Sequence, residues 1–138
     1  MWYTRTAVVI EDDADIGNLV CGVLKISGLS LVRLTETGAK GVAAVQKLAP
    51  GIVILDYGLP DINGFEVIRQ IRTFSCEPIL MLTGRVELAD KLLAAGANGV
   101  IPKPFRMAAL RVRVEELLRP QQGEPKRAPS PRVPVPTL

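Results

Sequence analysis

The chain contains no histidine, and this absence excludes histidine-based catalytic triads and histidine metal sites together. Its two cysteines, Cys21 and Cys76, are too few and too irregularly placed for a disulfide framework or a zinc ribbon. Cysteines used in this way are typical of a reducing compartment, so we expect a cytoplasmic protein.

Long apolar runs are also missing from the sequence. No stretch approaches the ~20 residues that a membrane-spanning helix needs, and the apolar run within residues 1–10 is too short for a secretory signal. We therefore expect no membrane partner. The 138 residues are 48% apolar and 22% charged, a composition that fits one packed domain and excludes wholesale disorder.

Most of the chain also lacks a strong charge of one sign. The net charge is +3, of which +2 lies in residues 120–138, so we expect no direct nucleic-acid binding by the preceding 119 residues. The same last nineteen residues hold six of the eleven prolines, which resist both helix and strand. We therefore predict a folded domain at residues 1–119 and a proline-rich, basic, flexible tail or linker at residues 120–138. A docking peptide for a partner groove is the alternative for this segment.

Short apolar runs alternate with amphipathic segments before that tail. The apolar runs predict five strands, at Ala7–Ile10, Leu29–Leu34, Ile52–Leu55, Ile79–Leu82 and Val100–Ile101. Apolar residues at helical spacing predict a helix after each strand, around residues 16–24, 42–48, 65–71, 88–93 and 107–117. Five such βα units predict a doubly wound α/β sandwich, in which helices cover both faces of a parallel sheet.

Polar residues follow four of these strands at their C-terminal ends. Glu11 and Asp12 follow the first strand, Asp56 the third and Thr83 the fourth, while the fifth leads to Lys103. Each residue alone has an ordinary structural explanation, such as a helix cap, a turn or a solvated surface charge. The C-terminal ends of parallel strands meet at one edge, where ligands bind, so the shared position favours a common site.

The residue types at this edge point to phosphoryl transfer. Clustered carboxylates need a cation, and an all-oxygen site suits Mg²⁺, Mn²⁺ or Ca²⁺. Lys103 and Thr83 could then hold phosphoryl oxygens. Asp56, in the middle strand of the set, is the candidate nucleophile, because carboxylates can form aspartyl-phosphates.

Four motifs resemble, in sequence and in order, the receiver domain of two-component response regulators. They read Val-Val-Ile-Glu-Asp-Asp, Ile-Val-Ile-Leu-Asp-Tyr-Gly-Leu-Pro-Asp-Ile-Asn-Gly-Phe-Glu, Met-Leu-Thr-Gly and Ala-Gly-Ala-Asn-Gly-Val-Ile-Pro-Lys-Pro-Phe. The resemblance covers about residues 5–118. It implies a flavodoxin-like (βα)5 sandwich with strand order 2-1-3-4-5 and a phosphorylation-dependent signalling switch that is not an enzyme.

The resemblance also implies the metal ligands and the partner. Asp56 would accept a phosphoryl group from a sensor histidine kinase or a phosphotransfer protein. Glu11, Asp12, Asp56 and the backbone carbonyl of Gly58 would hold Mg²⁺, or Mn²⁺ in its place. Asp13, one position beyond the acidic pair, would cap a helix or support the metal ligands.

The remaining roles that the resemblance implies concern switching and output. Thr83 would move to bond the phosphoryl group, Lys103 would pair with a phosphoryl oxygen, and the Lys103–Pro104 peptide bond would be cis. The signal would leave through protein contacts, with the face of the fourth helix, fifth strand and fifth helix as a surface for a homodimer.

The sequence departs from the family pattern in three places. Val100 occupies the switch position at which the family usually carries Tyr or Phe, and valine has neither a polar tip nor much rotameric range. The segment after Thr83 is short, so we expect a trimmed fourth helix or preceding loop. Gly58 and Arg85, which flank the site, have opposing effects on the lifetime of a phosphoryl group, because the glycine admits water and the arginine could shield phosphate.

Two other functions are compatible with parts of this pattern. The first is a degenerate receiver that only docks partners. It is compatible with Val100, because this residue replaces the aromatic side chain that the family usually carries. The second is a phosphatase of the haloacid dehalogenase type, which also uses Asp, Thr and Lys around Mg²⁺. That family needs a second aspartate two residues after the nucleophile, where this chain has Gly58.

Overall fold

The computed structural model describes residues 5–119, in which strands and helices alternate. In chain order the elements are β1 (Thr6–Ile10), α1 (Ala14–Ile26), β2 (Leu31–Thr35), α2 (Gly38–Leu48), β3 (Ile52–Asp56), α3 (Gly64–Arg72), β4 (Ile79–Thr83), α4 (Ala89–Ala95), β5 (Gly99–Pro102) and α5 (Met107–Leu118). A short 3₁₀ turn, Val86–Leu88, leads into α4. The predicted tail at residues 120–138 lies outside the described residues, as do residues 1–4.

The five strands form one parallel sheet in the order β2-β1-β3-β4-β5. This order confirms the doubly wound, flavodoxin-like fold. Every residue of β1, β3 and β4 is buried, because helices cover both faces of the sheet, and their nearly unbroken apolar sequences reflect this. The central strands are thus fixed on both faces, and their ends can place side chains accurately.

Alternate residues of the central strands enter two separate hydrophobic clusters. One cluster lies under α1 and α5 and includes Val9, Ile54 and Leu82. The other lies under α2, α3 and α4 and includes Val53 and Leu55, among others. The alternation follows from the pleat of a strand, whose successive side chains point to opposite faces.

The second strand begins two residues later than the sequence predicts. Leu29 was expected in the strand, but β2 starts at Leu31. The Leu29 amide instead donates to the Leu24 carbonyl (3.1 Å), and the Gly28 amide donates to Lys25 (3.1 Å), which ends α1 in a Schellman motif. This motif needs a left-handed residue, and Gly28 supplies it with φ of 103°. Leu29 is only 3% exposed, so its apolar character serves the core under α1.

The fourth helix is short, in agreement with the expectation of a trimmed segment. It has seven residues, whereas the other described helices have nine to thirteen. None of the helices within residues 5–119 has the length and hydrophobicity required to cross a bilayer.

Candidate functional site

Three buried polar side chains lie at the C-terminal rim of largely apolar strands. Glu11, Asp56 and Thr83 are 2%, 5% and 1% exposed. Glu11 follows β1, Asp56 ends β3 and Thr83 ends β4. In the sheet, β3 lies between β1 and β4. Lys103 comes from beyond β5, and its backbone amide donates to the Thr83 carbonyl at 2.9 Å, which extends the sheet by one bond. The topology therefore brings together residues that are far apart in the sequence.

Three carboxylates of this rim form a compact cluster. One oxygen from each of Glu11, Asp12 and Asp56 lies within 4.8 Å of the others. Within residues 5–119, the buried Oε1 of Glu11 accepts no hydrogen bond. This buried oxygen has the Lys103 ammonium 3.3 Å away, and beside two further carboxylates it fits a hard divalent cation with oxygen ligands. Asp12 is exposed, so an ion could approach from solvent.

Lys103 reaches across the cluster and contacts two of its members. Its Nζ donates to Asp56 Oδ1 at 2.9 Å and lies 3.3 Å from Glu11 Oε1. Burial lowers the pKa of Lys103, but the hydrogen bond and charge of Asp56 and the charge of Glu11 outweigh burial and raise this pKa above its ordinary value. The ammonium group therefore stays charged and offsets part of the negative charge.

At Glu11, burial has a larger effect on the pKa than the neighbouring positive charge has. Burial raises its pKa most, the amide of Asp13 lowers it, the charge of Asp56 raises it and Lys103 lowers it, with a net result above the ordinary value. The Asp13 amide donates to Glu11 Oε2 at 3.2 Å. Asp13 is also the N-cap of α1, where its Oδ1 accepts from the Ile16 amide at 3.1 Å, so its predicted capping role is confirmed.

Thr83 faces the loop that leads to α4. Its Oγ1 accepts a hydrogen bond from the backbone amide of Arg85 at 2.8 Å, which leaves the hydroxyl proton for another acceptor. The Arg85 side chain pairs with Glu87 at 2.6 Å, both being 60% exposed. The Lys103–Pro104 peptide bond is cis, as the family resemblance implies.

Gly58 and Val100 are the two remaining positions that the sequence predicts for the site. Gly58 is exposed, two residues after Asp56, and a Cβ added there would meet nothing within 4 Å. Val100 is half-buried, sits opposite Met81 in the β4–β5 register, and packs against the cluster under α2, α3 and α4. Valine brings no polar group to the Thr83 side of the site.

Three contacts at this site go beyond what the residue pattern predicts. Lys103 is expected from the sequence to contact phosphate, whereas in the structure it contacts both Asp56 and Glu11. The third contact is the bond from the Arg85 amide to Thr83. A backbone donor cannot be inferred from the residue type. The contacts of Lys103 could have been predicted, because three clustered carboxylates need a positive charge nearby.

The family model for the response regulator receiver domain matches residues 7–115 of this chain. The chain belongs to the receiver domain family. Receiver domains are signalling modules rather than enzymes. They generally bind Mg²⁺ at an acidic pocket, and the three clustered carboxylates form such a pocket here.

Curated relatives are response regulators. The DNA-binding response regulator MtrA of Mycobacterium tuberculosis is 36% identical over 120 residues, which are 86% of this chain and 52% of that protein. The regulatory protein VanRc of Enterococcus gallinarum is 36% identical over 128 residues, which are 91% of this chain and 55% of that protein. The receiver chain thus spans about half the length of these relatives.

Solved receiver structures have the same fold. A putative response regulator from Chloroflexus aurantiacus is 30% identical with a TM-score of 0.76, covering 84% of this chain and 98% of that one. The chemotaxis response regulator CheY4 of Vibrio cholerae is 28% identical with a TM-score of 0.75, covering 84% of this chain and 100% of that one.

Proposed function

We propose that this receiver domain is a switch that accepts a phosphoryl group on Asp56. The arrangement around Asp56 carries the proposal. Its carboxylate ends a fully buried strand, lies within 4.8 Å of two further carboxylates and accepts a hydrogen bond from Lys103 at 2.9 Å. Phosphoryl transfer depends mainly on positioning and charge stabilisation, and this rim supplies both.

Mg²⁺ is the cofactor that we assign to this cluster, and Mn²⁺ could replace it. Its proposed ligands are Glu11, Asp12, Asp56 and the backbone carbonyl of Gly58. The clustering of the three carboxylates supports this assignment, together with the buried Glu11 Oε1, whose contact with Lys103 is an ion pair at 3.3 Å. When bound, the ion would offset the negative charge that gathers between the carboxylates and the phosphoryl oxygens.

The donor in this proposal is a phosphorylated histidine of a sensor kinase or phosphotransfer protein. An Asp56 oxygen attacks phosphorus, a P–O bond forms, and the P–N bond breaks as the imidazole leaves with the electron pair of that bond. Lys103 then pairs with a phosphoryl oxygen. Thr83 donates its free hydroxyl proton to another, since its oxygen already accepts from Arg85.

We propose that the output travels through protein contacts. Phosphorylation places a group with roughly −1.5 to −2 charge beside Thr83 and Lys103, in exchange for the single negative charge of the Asp56 carboxylate. The neighbouring elements carry exposed apolar side chains, with Val86 57%, Leu93 44% and Met107 47% exposed. A homodimer through α4, β5 and α5 would cover this surface, and Val100 in β5 is the proposed switch position.

The cell compartment and nucleic-acid contacts are also part of the proposal. A cytoplasmic location is supported by two cysteines that form no disulfide within residues 5–119. MtrA is named a DNA-binding regulator, but this chain spans about half of it. We propose that the receiver domain itself makes no direct contact with nucleic acid.

Acetyl phosphate and Mg²⁺ provide the test. We expect intact-mass spectrometry to show one added phosphoryl group on the wild type and on Asp15→Asn, an acid outside the cluster, but none on Asp56→Asn. Labelling of Asp56→Asn at another residue would refute the acceptor assignment. A wild type that takes no label, and whose amide spectra near Asp56 and Thr83 ignore millimolar Mg²⁺ with beryllofluoride, would support a docking module instead.

A further inference from the structure

The loop between β3 and α3, residues 57–63, contains the proposed Gly58 ligand and is closed at its base. The Tyr57 amide donates to the Leu82 carbonyl at 3.1 Å, and the Gly64 amide donates to the Tyr57 carbonyl at 3.2 Å. At the far end of the loop, Asn63 caps α3 by accepting from the Glu66 amide at 3.0 Å. These bonds fix where the loop leaves the sheet and where it enters the helix.

The middle of the loop is held by a side chain that crosses to a different helix. Asp61 Oδ1 accepts from the Gly38 amide at 2.7 Å, and Oδ2 accepts from the Ala39 amide at 2.9 Å. These are the first two residues of α2, whose amides have no partner inside the helix. The bonds from Ala39 and Gly38 lower the pKa of Asp61, so the carboxylate stays ionised at neutral pH.

This helix start already has a cap of its own. Thr37 Oγ1 accepts from the Lys40 amide at 3.1 Å, which is the usual role of an N-cap residue. Asp61 therefore adds a second acceptor from 23 positions further along the chain. A long-range bond of this kind ties the loop to α2 as much as it caps the helix.

Packing next to Asp61 supports the same tie. Ile62 lies against Gly38 so closely that a Cβ on the glycine would overlap its side chain and crowd Val67. Gly38 is buried, and Ile62 packs against the cluster under α2, α3 and α4. By contrast, the space beside Gly58 is open. The part of the loop around Gly58 is therefore not held by packing of its own, and its position depends on the contacts of Asp61 and Ile62.

We propose that Asp61 is a positioning residue for the metal site. Its two bonds to α2 would hold in place the loop that carries the Gly58 carbonyl, the proposed metal ligand. This inference rests on the proposed function, because it concerns the same Mg²⁺ ion. Without the tie, the loop would have to be ordered on binding, and that cost would weaken the affinity for metal.

The test compares two ways of uncapping the same helix end. Asp61→Ala removes the tie, whereas Thr37→Ala removes a cap that belongs to α2 alone. Isothermal titration with Mg²⁺ should give an affinity about tenfold weaker for Asp61→Ala and unchanged within about twofold for Thr37→Ala. Asp61→Asn, which keeps one acceptor oxygen, should fall between the wild type and Asp61→Ala.

Hydrogen exchange without metal gives an independent measurement. The amides of Tyr57 and Gly64 should exchange faster in Asp61→Ala than in Thr37→Ala. Equal Mg²⁺ affinities for these two variants, or unchanged exchange in Asp61→Ala, would overturn the positioning role while leaving the proposed function intact. A wild type that binds no Mg²⁺ would overturn both, and the exchange result would still show whether the tie exists.

Discussion

Two loops border the site, and they are held very differently. The β3–α3 loop, residues 57–63, is bonded at its base, at its middle by Asp61 and at its end by Asn63. The β4–α4 loop, residues 84–88, has one bond to the rim, from the Arg85 amide to Thr83. Among residues 5–119, no side chain caps its 3₁₀ turn or α4.

This difference divides the rim into a fixed half and a loose half. The carboxylates and the β3–α3 loop form the fixed half, which suits a site that must hold an ion in one geometry. The β4–α4 loop forms the loose half, beside the hydroxyl proposed to contact the phosphoryl group. Elements that move in signalling come from the less stable parts of a fold, so we expect the conformational response in the loose half.

Glu11→Gln should have the largest effect on the fixed half. The substitution keeps the shape of the side chain but removes a negative charge that the ion needs. We expect Mg²⁺ affinity to fall by more than about tenfold, measured by calorimetric titration. Asp15→Asn, which removes an exposed acid outside the cluster, is the control and should leave the affinity unchanged.

The same variant should be more stable than the wild type when no metal is present. The pKa of Glu11 is raised in the folded state, so the wild type loses stability as the pH rises from 4.5 through that pKa. Glutamine carries no charge and avoids this loss. The urea unfolding midpoint of Glu11→Gln should therefore be higher than that of the wild type at neutral pH, and the two midpoints should converge below pH 4.5. A lower midpoint for Glu11→Gln at neutral pH would contradict the view that burial raises the pKa of Glu11.

Arg72 provides the next largest effect, because it anchors the C-terminal end of α4, the helix that follows the loose half. Its guanidinium donates to the carbonyls of Gly96, Ser75 and Glu77 and to Asn98 Oδ1, at 2.8–3.1 Å. Arg72→Ala would remove these bonds, while Asn98 Oδ1 would still accept from the Ile79 amide at 2.9 Å. We expect a loss of about 2–4 kcal/mol in the free energy of unfolding, measured with urea.

Arg69 offers a matched control on the same helix. It pairs with Glu66 at 2.6 Å, but its side chain is 65% exposed. Surface pairs of this kind contribute little, so Arg69→Ala should cost much less stability than Arg72→Ala. Equal losses would mean that the C-terminal end of α4 is not anchored through Arg72.

The sequence predicted the parts of this architecture that follow from local pattern. Strand ends were found because apolar runs stop abruptly at Glu11, Asp56 and Thr83, and parallel topology then brings those ends together. The family resemblance supplied the strand order. Leu29 was misplaced because an apolar residue that completes a Schellman motif looks like the first residue of a strand.

The difference between the two loops could not be predicted in the same way. Asp61 bonds to residues 22 and 23 positions away, and Arg72 bonds to Gly96 and Asn98, 24 and 26 positions away, as well as to nearby carbonyls. No periodicity marks such distant partners. Asp61 is part of a recognisable motif, yet an acid in a turn has many ordinary explanations. Only the folded arrangement shows which helix end it meets.

Asn63→Ala should produce a smaller change, at the start of α3. Removing an N-cap costs about 1 kcal/mol of stability, which urea unfolding can resolve. The amide of Glu66 loses its side-chain acceptor and keeps only the Asn63 carbonyl, at 3.1 Å, so it should also exchange faster. Asn63→Asp keeps an acceptor oxygen and should behave like the wild type. Unchanged exchange at Glu66 would mean that this end of the fixed loop does not depend on its cap.

Arg85→Ala should produce the smallest change, and it tests whether the second loop is loose. The pair with Glu87 is exposed on both sides, so its loss should leave the urea midpoint unchanged at low and high salt. The amide bond to Thr83 does not involve the Arg85 side chain and should persist. A clear drop in the midpoint would show that this ion pair restrains the loop. The rim would then have two fixed halves, and the response to phosphorylation would have to lie elsewhere.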